Sequence, residues 1–134
     1  MKTKNSLNLL STNFAHEKED LHSRGITTWE ELQNISDSDI NTLIKEGRSS
    51  NRNLRRIRGI ASLVCILSIE PHEAALLIHS GISSISALIN TSPQEVVLKT
   101  GRLHRQLKSD LANSIDLVKA NEWIQRARDI KRLD

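Results

Sequence analysis

Two ten-residue stretches of the chain follow the same pattern, SRGITTWEEL starting at Ser23 and HSGISSISAL starting at His79. A shift of 56 residues aligns them, together with a His-Glu pair and a Leu before them and an Asn and a Ser after them. A shift of 54 residues then aligns KEGR at Lys45–Arg48 with KTGR at Lys99–Arg102. Because all these matches keep one order, we interpret them as an internal duplication. Independent use of similar helix ends is the alternative interpretation.

Each copy contains residues that stop and start helices. Gly25 and Gly81 favour a helix end with positive φ, a conformation that glycine adopts without a steric penalty. Thr28 followed by Glu31 has the spacing of a capping box, and Ser84 can cap the corresponding helix in the second copy. The repeated pattern therefore predicts two short helices joined by a tight turn in each copy.

A third short helix and one longer helix are predicted to follow. The third helix is expected to start after Ser36 or Ser92 and to end at Gly47 or Gly101. Apolar residues at helical spacing indicate the longer helix. They are Leu54, Ile57, Ala61, Val64 and Ile69 in the first copy and Leu103, Leu107, Leu111, Ile115 and Val118 in the second. Because the first of these helices is apolar nearly all round in its second half, we expect it to be central and buried.

The chain has only five Gly and two Pro, too few to separate many short strands, and its core residues are mostly aliphatic. We therefore predict an all-α fold in which a tandem repeat of short helix-hairpin-helix-like units packs as one compact domain, with a C-terminal helix. The predicted boundaries are a flexible N-terminal tail over 1–12, a first repeat over 13–69, a second repeat over 70–118 and the C-terminal helix over 119–134.

Composition indicates a soluble globular protein, with 37% hydrophobic and 26% charged residues. Cys65 is the single cysteine, so the chain cannot form an intramolecular disulfide. The apolar residues around it predict a buried, reduced thiol. The apolar run at Ala61–Ile69 is too short to span a bilayer, and the N-terminus lacks the features of a signal peptide. We expect a cytoplasmic protein without membrane contact.

Charge is separated into blocks along the chain. Residues 16–43 contain two basic and seven acidic residues, a net charge of −5, whereas residues 44–60 contain six basic and one acidic, a net charge of +5. A second basic group starts with the Lys and Arg of the second KxGR motif and contains no acid. Such blocks favour a directed binding surface. The candidate nucleic-acid-binding residues are Lys45, Arg48, Arg52, Arg55, Arg56 and Arg58 in the first block and Lys99, Arg102, Arg105 and Lys108 in the second.

Catalytic and metal-binding motifs do not fit the sequence. His72 and His79 are seven residues apart, whereas a zinc-protease helix needs its two histidines four apart. Gly47 to Ser50 lacks the lysine of a phosphate-binding loop, and no dinucleotide-binding fingerprint is present. We therefore expect a protein that is not an enzyme and that needs neither a cofactor nor a metal.

The Gly-Ile turn, the Thr or Ser cap, the short helix and the KxGR motif together resemble the helix-hairpin-helix and SAM-like helical group. More closely, the order GITTWEEL, LRRIRGI, GISSISALINTSP and NEWIQRAR resembles an uncharacterised domain-of-unknown-function family frequent in cyanobacteria, over Glu17 to Arg128. The resemblance implies the fold more than the function. DNA-binding hairpins of the group usually carry a second glycine, whereas the match around Gly59 has Ala61 there, so Gly59 is expected to allow close packing within an uninterrupted helix.

Two functional hypotheses follow from the charge blocks. The first is binding to the phosphate backbone of DNA or RNA through two basic patches, with little reading of base sequence. The second is a protein-interaction adaptor, or self-association, through an acidic and a basic face. A third possibility, without a functional surface, is that the arginines pair with the acidic block of the same chain.

Overall fold

The structure is a computed structural model of the protein and describes residues 14–106 and 115–133. These residues form helices and no strands, as the all-α prediction requires. The helices are α1 (Ala15–Ser23), α2 (Trp29–Gln33), α3 (Asp37–Glu46), α4 (Asn51–Leu67), α5 (Pro71–His79), α6 (Ile85–Ile89), α7 (Pro93–Gln106) and α8 (Leu117–Leu133). The predicted N-terminal tail over 1–12 lies outside the described residues. No described helix combines the length and the apolar character that crossing a membrane requires.

The first helix of each half ends in the same kind of turn. Gly25 has φ +80° and Gly81 has φ +97°, which confirms the predicted helix stops. The N–H of Ile26 donates to the carbonyl of Leu21 over 2.9 Å, and Ile82 makes the equivalent bond at 3.0 Å. These bonds satisfy carbonyls that the helix end would otherwise leave unpaired. Each turn therefore sends the chain directly into the next short helix.

The predicted helix starts are confirmed as well. Thr28 and Glu31 form a full capping box at α2, in which the Thr28 hydroxyl accepts from the Glu31 N–H over 3.2 Å. Ser84 caps α6 by accepting from the N–H of Ala87 over 3.0 Å. These short helices of five residues depend on such caps, because they contain too few internal hydrogen bonds to be stable alone.

Helix α4 lies at the centre of the N-terminal half and packs against α2, α3 and α5. Its inward-facing residues are almost completely buried, among them Leu54, Ile57 and Leu63. Gly59 lies in the middle of this helix, and a Cβ built there would lie 3.0 Å from Cδ1 of Ile78 on α5. The missing side chain thus allows α5 to approach closely, which agrees with the predicted close packing at Gly59.

Helix α8 has the corresponding position in the C-terminal half, where it packs against α6 and α7. Trp123, Ile124 and Ala127 form its buried side. The contacts of α4 with α5 and with α8 join the two halves around one hydrophobic core. The C-terminal helix is therefore packed in the second half as α4 is packed in the first.

Two sequence predictions about the second half are wrong. Gly101 does not end a helix, because α7 continues past it to Gln106. The predicted long helix through Ile115 and Val118 is also absent, since Ile115 precedes α8 and Val118 is 66% exposed. The carboxylate of Asp116 accepts from the N–H of Lys119 over 2.8 Å and so starts a separate helix. Two members of the predicted stripe, Leu107 and Leu111, lie outside the described residues.

Candidate nucleic-acid interface

The predicted basic residues lie on three helices and one loop. Lys45 is in the last turn of α3, Arg48 is in the loop before α4, and the other four of the first block are on α4. Those of the second block are on α7, except for Lys108, which lies outside the described residues. The partners of these side chains decide which of them are available to an external ligand.

The loop around Arg48 is bound to carboxylates of α1. Oδ2 of Asp20 accepts hydrogen bonds from the N–H of Arg48 and the N–H of Ser49, both over 2.9 Å, and from the Ser49 hydroxyl over 2.5 Å. Oε2 of the buried Glu17 accepts from the N–H of Ser50 over 2.9 Å. These N–H groups precede a helix and could otherwise meet a phosphate. The chain's own carboxylates occupy them.

Gly47 makes this arrangement possible. The residue is extended, and a Cβ built on it would overlap the carboxylate of Asp20. The guanidinium of Arg48 in turn pairs with Glu19 at 2.6 Å. The first KxGR motif thus joins the start of α4 to α1.

Two of the arginines on α4 share one carboxylate. Oδ1 of Asp37 lies 3.1 Å from Nη1 of Arg55 and 2.9 Å from Nη1 of Arg58. The hydrogen bond from Arg58, together with the charges of Arg55 and Arg58, lowers the pKa of Asp37. Arg58 also donates to the carbonyl of Ile35 over 3.3 Å. These two arginines therefore connect α4 to the start of α3.

Arg52 and Arg56 have different surroundings. They are four residues apart and so lie on one face of α4. Arg52 is exposed, and Arg56 is half-buried with Nη1 3.5 Å from Nδ1 of His79 on α5. Neither forms an ion pair with a carboxylate of residues 14–106 or 115–133. Since no described carboxylate pairs with these two guanidinium groups, they are available to another partner.

His79 was considered in the sequence only as a possible zinc ligand, and its position beside the arginines was missed. Its ring stacks on Phe14, with centroids 5.7 Å apart and planes inclined by 10°. Burial lowers the pKa of His79, and the charges of Arg56 and Arg52 lower it further. The sequence carries no signal for this cluster, because its members come together through the packing of α5 on α4.

The basic residues of the second block are less involved in ion pairs. Lys99 lies 3.5 Å from Glu95, one turn earlier on α7. Arg102 and Arg105 are exposed and pair with no carboxylate among the described residues. Arg102 and Arg105 are therefore available to an external ligand, whereas Lys99 is paired within its own helix.

Basic residues of α8, which the sequence did not single out, connect this helix to α5 and to the end of α4. Nζ of Lys119 lies 2.7 Å from Oε2 of the buried Glu73, and this hydrogen bond raises the pKa of Lys119. Nη1 of Arg126 donates over 2.8 Å to the carbonyl of Leu67 at the end of α4. The contact between Lys119 and Glu73 has one signal in the sequence. Glu73 aligns with Glu17 in the repeat, and Glu17 likewise contacts the start of a long helix, α4.

Other kinds of site find little support in the described part of the chain. No three His, Cys, Asp or Glu side chains there are placed to hold a metal ion. A cavity of about 100 Å³ next to Asp20 is lined by Arg24, Leu43 and Glu46, and Arg24 pairs with Glu46 there. It is smaller than the pockets of several hundred Å³ that bind most small molecules.

Comparison with known proteins places the chain in a family. No curated protein and no solved structure matches it. A family model described as Domain of unknown function (DUF4332) matches residues 12–130. This range contains every described helix except the last turn of α8. The chain therefore belongs to the DUF4332 family of domains of unknown function.

Proposed function

We propose that the protein is a non-catalytic module that binds the phosphate backbone of nucleic acid without reading its sequence. One observation carries the proposal. Arg52 and Arg56 lie on one face of α4 without a carboxylate partner among the described residues, whereas Arg48, Arg55 and Arg58 are each paired within the chain. Guanidinium groups bind phosphate oxygens through paired hydrogen bonds and release condensed counterions as they do so.

The proposed contact set is smaller than the predicted one. It keeps five of the ten candidates, namely Lys45, Arg52, Arg56, Arg102 and Arg105. The three paired arginines of the first block and Lys99 are assigned a structural role. Phe14, Trp29 and Trp123 are 2%, 1% and 4% exposed, so none of them offers a platform for stacked bases. The burial of these three aromatic side chains supports contact with the phosphate backbone of nucleic acid rather than recognition of unstacked bases.

We further propose that the two halves arose by duplication and belong to the helix-hairpin-helix and SAM-like group. The bounds of α1 and α5 differ by 56 residues at both ends, and so do those of α2 and α6. The glycine turns at Gly25 and Gly81 are built from equivalent hydrogen bonds. A cytoplasmic location is part of the same proposal, and the single thiol of Cys65, half-buried and without a disulfide, supports it.

A protein-interaction adaptor is the second candidate. Three large apolar side chains on α7 and α8 favour it, since Leu98, Leu117 and Val118 are 54%, 49% and 66% exposed. The predicted docking of an acidic face on a basic face finds less support, because much of that charge is paired within the chain. A partner of this kind would be held by apolar contacts and would survive high salt.

A mobility-shift experiment tests the main proposal. The wild-type protein is mixed with a duplex DNA of arbitrary sequence and, separately, with a duplex RNA, at low and at high salt. We expect binding at low salt that weakens steeply with salt, and loss of that binding in the double variant Arg52→Glu, Arg56→Glu. Failure to bind either duplex at low salt would overturn the proposal. An interaction partner retained after nuclease treatment and in high salt would support the adaptor function instead.

A further inference from the structure

Two arginines and a histidine lie near one another where α4 packs against α5. Arg52 and Arg56 come from adjacent turns of α4, and His79 is the last residue of α5. Among the described residues, the charges that act on His79 are those of the two arginines, and Phe14 covers one face of its ring. This cluster of like charges is a place where an anion would relieve repulsion.

The contact between Arg56 and His79 defines the state of the imidazole ring. A guanidinium group can only donate, so a hydrogen bond over the 3.5 Å between Arg56 Nη1 and His79 Nδ1 assigns the acceptor role to Nδ1. The ring is then neutral, with its proton on Nε2. That N–H, the guanidinium of Arg52 and the remaining N–H groups of Arg56 are the donors that the cluster offers to a ligand.

We propose that Arg52, Arg56 and His79 form an oxyanion site that binds one phosphate group of a nucleic-acid backbone. This proposal rests on the proposed function and names the residues that make its central contact with a backbone phosphate. The chemistry favours an oxyanion because the cluster offers hydrogen-bond donors from two guanidinium groups and one imidazole. No carboxylate of the described residues forms an ion pair with either arginine. A bound phosphate would offset the two arginine charges that disfavour protonated His79.

The site therefore couples phosphate binding to protonation of His79. When phosphate is bound, the imidazole takes up a proton from solvent at Nδ1 more readily, so its pKa rises, and Nδ1 then no longer accepts from Arg56. By linkage, the affinity for phosphate must rise as the pH falls through the pKa of His79. A rise of about half a unit in the pKa of His79 corresponds to roughly threefold tighter binding of phosphate at pH values below that pKa.

The imidazole proton signals of the full-length protein test this site by NMR titration over pH. The signal of His79 is assigned by its absence in His79→Gln. Titrations are run in sodium chloride alone, with inorganic phosphate and with a short DNA duplex, all at equal ionic strength. We expect the duplex to raise the pKa of His79 by about half a unit or more, and Arg52→Gln to reduce that rise. Arg52 is exposed, so this variant leaves the core intact.

The outcomes separate this proposal from the proposed function. A duplex that binds without moving the pKa of His79 would overturn the site and leave nucleic-acid binding standing. A rise with inorganic phosphate and none with the duplex would identify a site for free phosphate and overturn the assignment to a nucleic-acid backbone. No rise with either ligand would also overturn the site, whereas an equal rise in Arg52→Gln would exclude that arginine from it.

Discussion

The carboxylate of Asp20 occupies the space that a side chain at Gly47 would need. Asp20 can approach so closely because glycine has no Cβ, and it then accepts three hydrogen bonds from Arg48 and Ser49. Gly101 holds the corresponding position in the second KxGR motif but lies inside α7. The same four-residue pattern therefore has two different structural roles.

Replacing each glycine by alanine should have opposite effects on stability. Gly47→Ala would displace Asp20 and its hydrogen bonds, and we expect a loss of about 2–4 kcal/mol in the free energy of unfolding. In Gly101→Ala the added Cβ meets, among the described residues, only the flexible end of Arg105 at 3.4 Å, so a gain of roughly 0.5–1 kcal/mol is expected for alanine within a helix. Urea unfolding measures both. Equal losses in the two variants would contradict the assigned roles.

The stability of the protein should fall in mild acid because of His79. Folding lowers the pKa of this residue below its ordinary value of 6.5, so the unfolded chain binds more protons once the pH drops below that value. The free energy of unfolding therefore decreases from pH 6.5 downwards, through the pKa of the folded state. His79→Gln keeps an acceptor for Arg56 but does not titrate. Urea unfolding from pH 7.5 to 5 should show a shallower pH dependence in this variant, and identical slopes would contradict the prediction.

Lys119 should stabilise the fold through its contact with buried Glu73. Lys119→Ala leaves a carboxylate that is 7% exposed without its cation, and we expect a loss of about 1–3 kcal/mol. The second change Glu73→Gln, made in that variant, removes the uncompensated charge and should restore part of the loss. Thermal unfolding of the single and double variants measures the difference. A double variant less stable than Lys119→Ala would show that the charge of Glu73 is satisfied elsewhere.

Sequence predicted the helix ends well because their signals are local. Gly25 and Thr28 act on backbone groups within a few residues, so their effects can be read from spacing alone. The same holds for Ser84 and the turn at Gly81. The all-α fold was predicted from the scarcity of Gly and Pro and from the mostly aliphatic core residues.

The roles of the charged residues could not be predicted in the same way. Arg55 and Arg58 share Asp37, which lies 18 and 21 positions earlier, and the contact depends on how α3 meets α4. Gly101 was expected to end a helix by analogy with Gly47, but the residue that aligns with Asp20 in the second half is Leu76. A leucine offers no carboxylate to hold a loop, and α7 continues.

Binding of the nucleic-acid backbone through Arg52 and Arg56, which pair with no carboxylate among the described residues, is tested most directly by the salt dependence of duplex binding in two matched variants. Arg52→Gln and Arg55→Gln remove the same charge from exposed positions of one helix, but Arg55 is paired with Asp37 and Arg52 has no such partner among the described residues. The slope of log affinity against log salt should fall by about 0.9 in Arg52→Gln, which is the loss of one phosphate contact, and by much less in Arg55→Gln. Equal slopes in the two variants, or an unchanged slope in Arg52→Gln, would contradict the account.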